Sequence, residues 1–217
     1  MARIAGSSGP RTEEAIRRAG LSLITTHGYA AMSLRQLAAM VGIQQGSLYN
    51  YFRNKQEFLF DLIRSHMQDL HAALEQALLP EGSAAERLTR FVEFHVAYHI
   101  ERSQEVFICY SELRSLEPEN LTAVVAMRRD YERRLSDILE AGRESGEFRL
   151  ADVRMATLAI LAMLSGICNW YRPDGRLSKE AVSRTFTGMV LALAQGGADP
   201  AALPQPANLN RLAARRQ

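Results

Sequence analysis

Apolar residues recur at helical spacing along almost the whole chain, and period-two alternation rich in β-branched residues is absent. Gly and Pro cut this pattern into helix-length pieces. The first predicted helix starts at Thr12, with Glu13 and Glu14 in its first turn, where carboxylates oppose the helix dipole. Ile16, Ala19, Leu23 and Ile24 form its apolar stripe, and it stops near His27-Gly28. Ser33-x-x-Gln36 has capping-box spacing and opens a short helix whose Leu34, Leu37, Ala38 and Val41 face inward. Gly42 follows where a left-handed residue is needed. Gln44 to Phe52 reads as a second short helix, with Leu48, Tyr51 and Phe52 apolar. Asn54-x-x-Glu57 then caps a long helix through Phe58, Leu62, Ile63, His66 and Leu70, ending near Pro80.

Longer pieces follow the same grammar. Ser83-x-x-Glu86 caps a helix carrying Leu88, Phe91, Val92, His95 and Tyr98. A segment from Ser103 to Arg114 comes next. Pro118 starts a helix at the N1 position and carries it to about Glu144 and Gly146. Asp152 opens a nearly all-apolar helix to Trp170, Arg172-Pro173-Asp174-Gly175 is a turn, and Ser178 caps the last helix, which ends at Gln195-Gly196-Gly197. The fold class is therefore all-α. The expected divisions are an arm over 1–10, a helix-turn-helix domain over 11–54, a larger helical ligand-binding and dimerisation domain over 55–195, and a mobile tail over 196–217.

Composition narrows the picture. With 217 residues, 47% of them hydrophobic and 23% charged, the chain can bury a substantial core. The greasiest run, Ala156 to Cys168, is shorter than a membrane helix needs, and the N-terminus lacks the apolar core of a signal peptide. Cys109 and Cys168 lie far apart in apolar surroundings, which suits a reducing cytoplasm better than a disulfide scaffold. The net charge of +2 is unevenly spread: residues 1–60 carry +4, residues 61–200 carry −5 and residues 201–217 carry +3. A basic head on an acidic body suits a polyanionic partner, although on charge alone ordinary solvated charge is the better explanation.

Two short helices joined at Gly42 and flanked by further helices are the parts of a helix-turn-helix. Leu37, Ala38, Val41 and Leu48 brace the second helix. Gln44, Gln45, Gly46, Ser47, Tyr49 and Asn50 are then left to face a major groove. Hydroxyls of Ser47 and Tyr49 suit phosphates, and Gln and Asn side chains suit base edges. Lys55, in the first turn of the next helix, could clamp a phosphate.

Residues 32–59, MSLRQLAAMVGIQQGSLYNYFRNKQEFL, resemble the DNA-binding signature of TetR-family transcriptional regulators. The likeness is carried by Ser33-Leu34-Arg35, Leu37-Ala38, Val41-Gly42, Gly46-Ser47-Leu48-Tyr49, Tyr51-Phe52 and Lys55, together with Gly28-Tyr29. It implies that Ser33, Arg35, Gln45, Ser47, Tyr49, Asn50 and Lys55 meet DNA, and Gln44 and Gly46 join them from the outward face of the short helix. It further implies a homodimer on a near-palindromic operator, acting as a repressor that a small molecule releases. Asn169 to Ser178, NWYRPDGRLS, is similar to a stretch in a subgroup that includes repressors of fatty-acid and steroid catabolism sensing acyl-CoA thioesters. Trp170 or Tyr171 could stack on an adenine and Arg172 or Arg176 could pair with phosphate; equally, the Trp could pack beneath the bundle.

The family's effector pocket lies in the second domain. Phe91, Phe94, His95, Tyr98, Phe107, Tyr110, Ser111, Met127, Tyr131, Met163 and Ile167 are the candidates for its wall, since apolar pockets orient ligands with few polar groups. The apolar helix from Asp152 and the segment Ala181 to Leu193 are expected to build half of a four-helix dimer interface.

Chemistry beyond binding finds little footing. His95-x-x-x-His99 places two imidazoles on one helix face, but Val96 stands where the zinc-protease signature needs Glu. No Gly-rich phosphate loop or G-x-S-x-G elbow occurs. The expectation is a cytoplasmic regulator, not an enzyme, needing no metal and no cofactor and meeting no membrane. Its partners are double-stranded operator DNA, a second copy of itself and a small-molecule effector such as an acyl-CoA thioester. A regulator of efflux or drug resistance sensing another hydrophobic compound is the alternative, and a helical metal or ligand carrier a more distant one.

Overall fold

In a computed structural model, which describes residues 9–196, ten α-helices and one 3-10 turn make up the regular structure. The predicted arm over 1–10 lies mostly outside those residues, and the predicted tail almost wholly so. Helix α1 (Gly9–His27) starts three residues before the expected Thr12, and α2 (Leu34–Val41) and α3 (Gln45–Leu48) follow. Next come α4 (Lys55–Ala77), α5 (Ala84–Glu101), α6 (Ser103–Ser111) and a 3-10 turn at Leu113–Ser115. The chain continues through α7 (Pro118–Ser145), α8 (Val153–Ser165), α9 (Ile167–Trp170) and α10 (Lys179–Gly196).

Local chemistry sets most of these boundaries. Full capping boxes open α2 at Ser33 and α5 at Ser83, and Asn54 and Asp152 side chains accept backbone N–H bonds at α4 and α8. Gly42 and Gly146 adopt positive φ (76° and 80°) where α2 and α7 end. One predicted helix is shorter than expected. After Leu48 the α3 ladder tightens to i→i−3 bonds, with Asn50 N–H on the Ser47 carbonyl and Tyr51 N–H on that of Leu48, which also accepts from Phe52 N–H to close the turn. Phe52 leaves the helix and sets its ring edge-on to Phe58, with centroids 5.0 Å apart.

Two cores form. The first joins Ile16, Leu37, Leu48, Phe52, Phe58, Leu59 and Ile63 and continues into Ile108, Cys109, Leu116 and Val124, so it runs past residue 54 into α4, α6 and α7. Phe58 lies so close to α1 that a Cβ on Gly20 would come within 2.1 Å of its ring. Arg17 Nε donates to Asp61 at 2.8 Å and Arg64 to the other carboxylate oxygen at 3.0 Å, tying α1 to α4. The second core centres on α5, which packs against α4, α7, α8, α9 and α10 and buries Leu88, Phe91, Val92 and Val96.

The apolar run near the C-terminal end is longer than the sequence suggested. Val153–Trp170 is long and apolar enough to cross a membrane by length and composition, with mean hydropathy 1.4 over 18 residues. The segment is divided at Gly166, and Ile160, Leu164 and Ile167 enter the second core. Met155 and Leu158 of α8, with Met189 and Leu193 of α10, remain exposed.

Candidate DNA-reading head and effector cavity

The helix-turn-helix exposes the side chains expected to read DNA. Ser33, Arg35, Gln44, Gln45, Gly46, Tyr49 and Asn50 are exposed, and Ser47 and Lys55 are half-buried. Leu48 is fully buried and anchors α3 to the first core. Gln44 begins α3 without a side-chain cap bond. Lys55 Nζ donates to the Ala30 carbonyl at 3.0 Å and lies 4.3 Å from the Tyr29 ring centroid. Desolvation lowers its pKa from the ordinary lysine value. The ammonium thus joins α4 to the turn after α1, with its two other protons available to a phosphate.

A cavity of about 650 Å³ opens within the second domain. Its closed end is made by His66, Met67 and Leu70 of α4, His95 and His99 of α5, Val106 and Cys109 of α6 and Tyr131 of α7. Exposed Phe107, Tyr110, Ser111, Leu158 and Asn169 form the rim. Arg128 lies over the Tyr110 ring, 4.5 Å from its centroid, and the Tyr110 hydroxyl donates to Ser165 Oγ at 2.8 Å. Burial pushes His66 down to about 4 and His99 to about 3, and drives His95 well below the ordinary imidazole range. The same desolvation raises Cys109 to about 12 and Cys168 to about 11, so both thiols stay protonated.

His95, Phe107, Tyr110, Ser111 and Tyr131 therefore meet at one cavity, as the spacing suggested. The other candidates lie outside the lining of this cavity. Phe91 is sealed in the second core, and Phe94, Met127, Met163 and Ile167 pack in or against it, because core and cavity wall share one helical period. Tyr98 lies against the His66 ring with its hydroxyl buried and unpartnered. Trp170 stacks on Phe186 at 6.2 Å, and Arg172 is exposed and donates to the Tyr171 carbonyl. Only Asn169 of that C-terminal stretch reaches the cavity. Sequence reasoning missed His99, Cys109, Arg128 and Cys168 as wall residues. His66 carried a signal, a polar ring within the apolar stripe of α4. Among the described residues no group of three His, Cys, Asp or Glu side chains is placed to hold a metal ion.

Comparison with known proteins places this architecture. Residues 16–62 match the model of the tetR family of bacterial regulatory proteins, and residues 81–194 match that of the tetracyclin repressor-like C-terminal domain. The chain belongs to the TetR family and is a DNA-binding transcriptional regulator, which sets the carrier reading aside. It is 29% identical to the HTH-type transcriptional repressor KstR2 of Mycolicibacterium smegmatis over 185 residues, 83% of this chain and 89% of that one. The fold superposes on the TetR-family regulator PfmR of Thermus thermophilus with TM-score 0.75 and 35% identity, covering 81% of this chain and 96% of that one. It also superposes on AibR in complex with isovaleryl coenzyme A and operator DNA, with TM-score 0.76 and 24% identity, covering 82% and 97%.

Proposed function

We propose that the protein is a homodimeric repressor released from a near-palindromic operator when an acyl-CoA thioester fills the α4–α8 cavity. The observation that carries this reading is the cavity itself: mostly apolar, closed at one end, and built from helices that also hold the reading head. Helix α6 is the shared element. Its Val106, Phe107, Tyr110 and Ser111 line the cavity, while Ile108 and Cys109 belong to the first core. Helix α4 supplies both the Asn54 cap behind α3 and the His66, Met67 and Leu70 wall. Gln56 Nε2 donates to the Ser115 carbonyl and its Oε1 accepts from Glu117 N–H, tying the start of α4 to the α6–α7 connection.

An acyl group inserted between α4 and α6 would displace both. Release then follows by linkage, provided the ligand favours the head spacing that DNA disfavours. A second copy covering Met155, Leu158, Met189 and Leu193 would set that spacing and wall off part of the cavity mouth, since Leu158 belongs to both surfaces. Ser33, Arg35, Gln44, Gln45, Gly46, Ser47, Tyr49, Asn50 and Lys55 would meet the operator, and Arg128 near the rim suits the thioester's anionic portion. Likeness to a regulator whose structure holds isovaleryl coenzyme A supports the effector class.

Selection of a preferred duplex from random sequence, followed by titration of the complex, tests the reading. Acyl-CoA thioesters should release the duplex, and free acids and unrelated drugs should not. Absence of preference over random duplex at moderate salt would overturn the assignment of the head. Release by drugs and not by thioesters would reject the effector class in favour of a drug or efflux regulator.

A further inference from the structure

The closed end of the cavity carries a polar pattern more specific than its apolar walls. His95 and His99 both line it, and their rings stack with centroids 3.6 Å apart and planes 12° apart. Protonating either ring would set a cation out of water against its neighbour, and both are held far below the ordinary imidazole range. Each therefore offers one N–H and one lone pair.

The tautomers can be assigned from their partners. His99 Nδ1 lies 2.9 Å from the His95 carbonyl oxygen, which can only accept. Nδ1 thus carries the proton and Nε2 presents its lone pair. His95 Nδ1 lies 2.9 Å from the Tyr131 hydroxyl, and His95 Nε2 is buried without a partner. If the Tyr131 O–H donates to Nδ1, only the Nε2 proton is left unpaired. The reverse arrangement strands both the phenol proton and the Nε2 lone pair, and each stranded buried group carries a desolvation penalty. The first arrangement wins, so the pair offers one acceptor, one donor and no charge.

We propose, building on the reading of this cavity as the effector site, that its inner end recognises an uncharged hydroxyl on the buried part of the effector, donating to His99 Nε2 and accepting from His95 Nε2. A methyl group would leave the imidazoles unpaired. A carboxylate only accepts, and would set its charge against the His99 lone pair in a buried site. Arg128 lies over the Tyr110 ring and donates to the Cys109 carbonyl, where its guanidinium suits the effector's anionic portion.

Calorimetric titration of the full chain tests this with matched probes of one chain length, about ten carbons, a size such a cavity encloses. The probes are the plain acyl-CoA, its ω-hydroxy and ω-carboxy analogues, and the plain and ω-hydroxy methyl esters. The hydroxylated thioester should bind about tenfold more tightly than the plain one, and the ω-carboxy thioester more weakly than either. His99→Phe should make the hydroxylated and plain probes converge. Tyr131→Phe, which removes only the O–H that fixes the His95 tautomer, should narrow the gap several-fold. It carries the test if thermal melting shows that His99→Phe does not fold.

Equal binding of plain and hydroxylated probes, tighter binding of the carboxylate, or a preference that survives in the folded variants would overturn the inference. If no thioester binds while the hydroxy ester outcompetes the plain ester in a Tyr131-dependent way, the thioester reading falls and the hydroxyl inference stands. If hydroxylated probes gain nothing while thioesters release the duplex, the reverse holds.

Discussion

Gln45, Gly46, Tyr49 and Asn50 stand in solvent on or beside a four-residue helix anchored by the buried Leu48. His66, His95 and His99 instead sit within helices of 23 and 18 residues and are nearly sealed from water. An exposed polar side chain costs the fold almost nothing, so the reading face is free to suit a partner. A buried neutral imidazole costs desolvation and forbids its own protonation. Changes to the face should therefore alter affinity and leave stability alone, whereas conditions that charge the body should alter stability first.

The largest expected effect lies beneath the face. Gly20→Val would drive a branched side chain into the Phe58 ring, which a bare Cβ already approaches within 2.1 Å. The cost should be about 3 kcal/mol, read as a lower denaturant midpoint together with lost duplex binding. A mild effect would mean that Phe58 can turn aside and that α1 and α4 are not locked by that contact.

Acid separates the two regions next. The unfolded histidines titrate near 6.5, whereas folded His66 and His99 titrate at about 4 and about 3 and His95 lower than the ordinary value. As pH falls from 6.5 the unfolded chain takes up protons that the folded chain refuses, so stability falls. It is fully present above 6.5 and is lost progressively down to the folded values. Melting temperature should drop by roughly 5 °C or more between pH 7 and pH 5. Glu147 and Glu180, whose pKa values are lowered by hydrogen bonds, contribute stability that is present above their ordinary value of 4.5 and lost below it, outside that window. A flat profile over that range would show that the imidazoles are hydrated.

What could be read beforehand follows the same division. Caps and turns are local, so Ser33 with Gln36, Gly42, Asn54, Ser83, Asp152 and Gly146 announced their boundaries. The outward residues of α3 were legible because Leu48, Tyr51 and Phe52 claim the inward positions. The cavity was half legible. Phe107, Tyr110 and Ser111 share a helix face that no neighbour fully covers, but Phe91 and His95 also share one face, and only tertiary packing decides that Phe91 is core and His95 is wall. Arg128 and Cys168 come from α7 and α9 and reach the site through helix crossings that spacing along one helix does not encode.

On the face itself the comparison becomes finer. Tyr49→Phe and Gln45→Ala should each change stability by no more than about 0.5 kcal/mol. Tyr49→Phe should weaken all duplexes alike if its hydroxyl holds phosphate, and Gln45→Ala should relax preference at one base pair by about 1–3 kcal/mol. Binding to a panel of single-base variants of the selected duplex distinguishes these. Uniform loss for both would place base reading elsewhere on the head.

The smallest effect concerns Gln44. Helices α2 and α4 open on Ser33 and Asn54, whose side chains accept from the backbone three residues on, at 3.2 and 2.8 Å. Gln44 has the extended backbone of a cap (φ −69°, ψ 143°) but makes no such bond. A methylene more than Asn carries its amide past the N–H groups of its own first turn, whereas a serine hydroxyl would reach them. Gln44→Ser should therefore stabilise the head by about 0.5 kcal/mol. If the Gln44 amide instead serves a base edge or phosphate, the same substitution should weaken duplex binding, so the two readouts move in opposite directions. Melting and binding measured on one preparation decide the matter: a gain in both would show that Gln44 neither caps nor reads, and a loss in both would mean that the amide holds α3 in place through a contact the free head does not make.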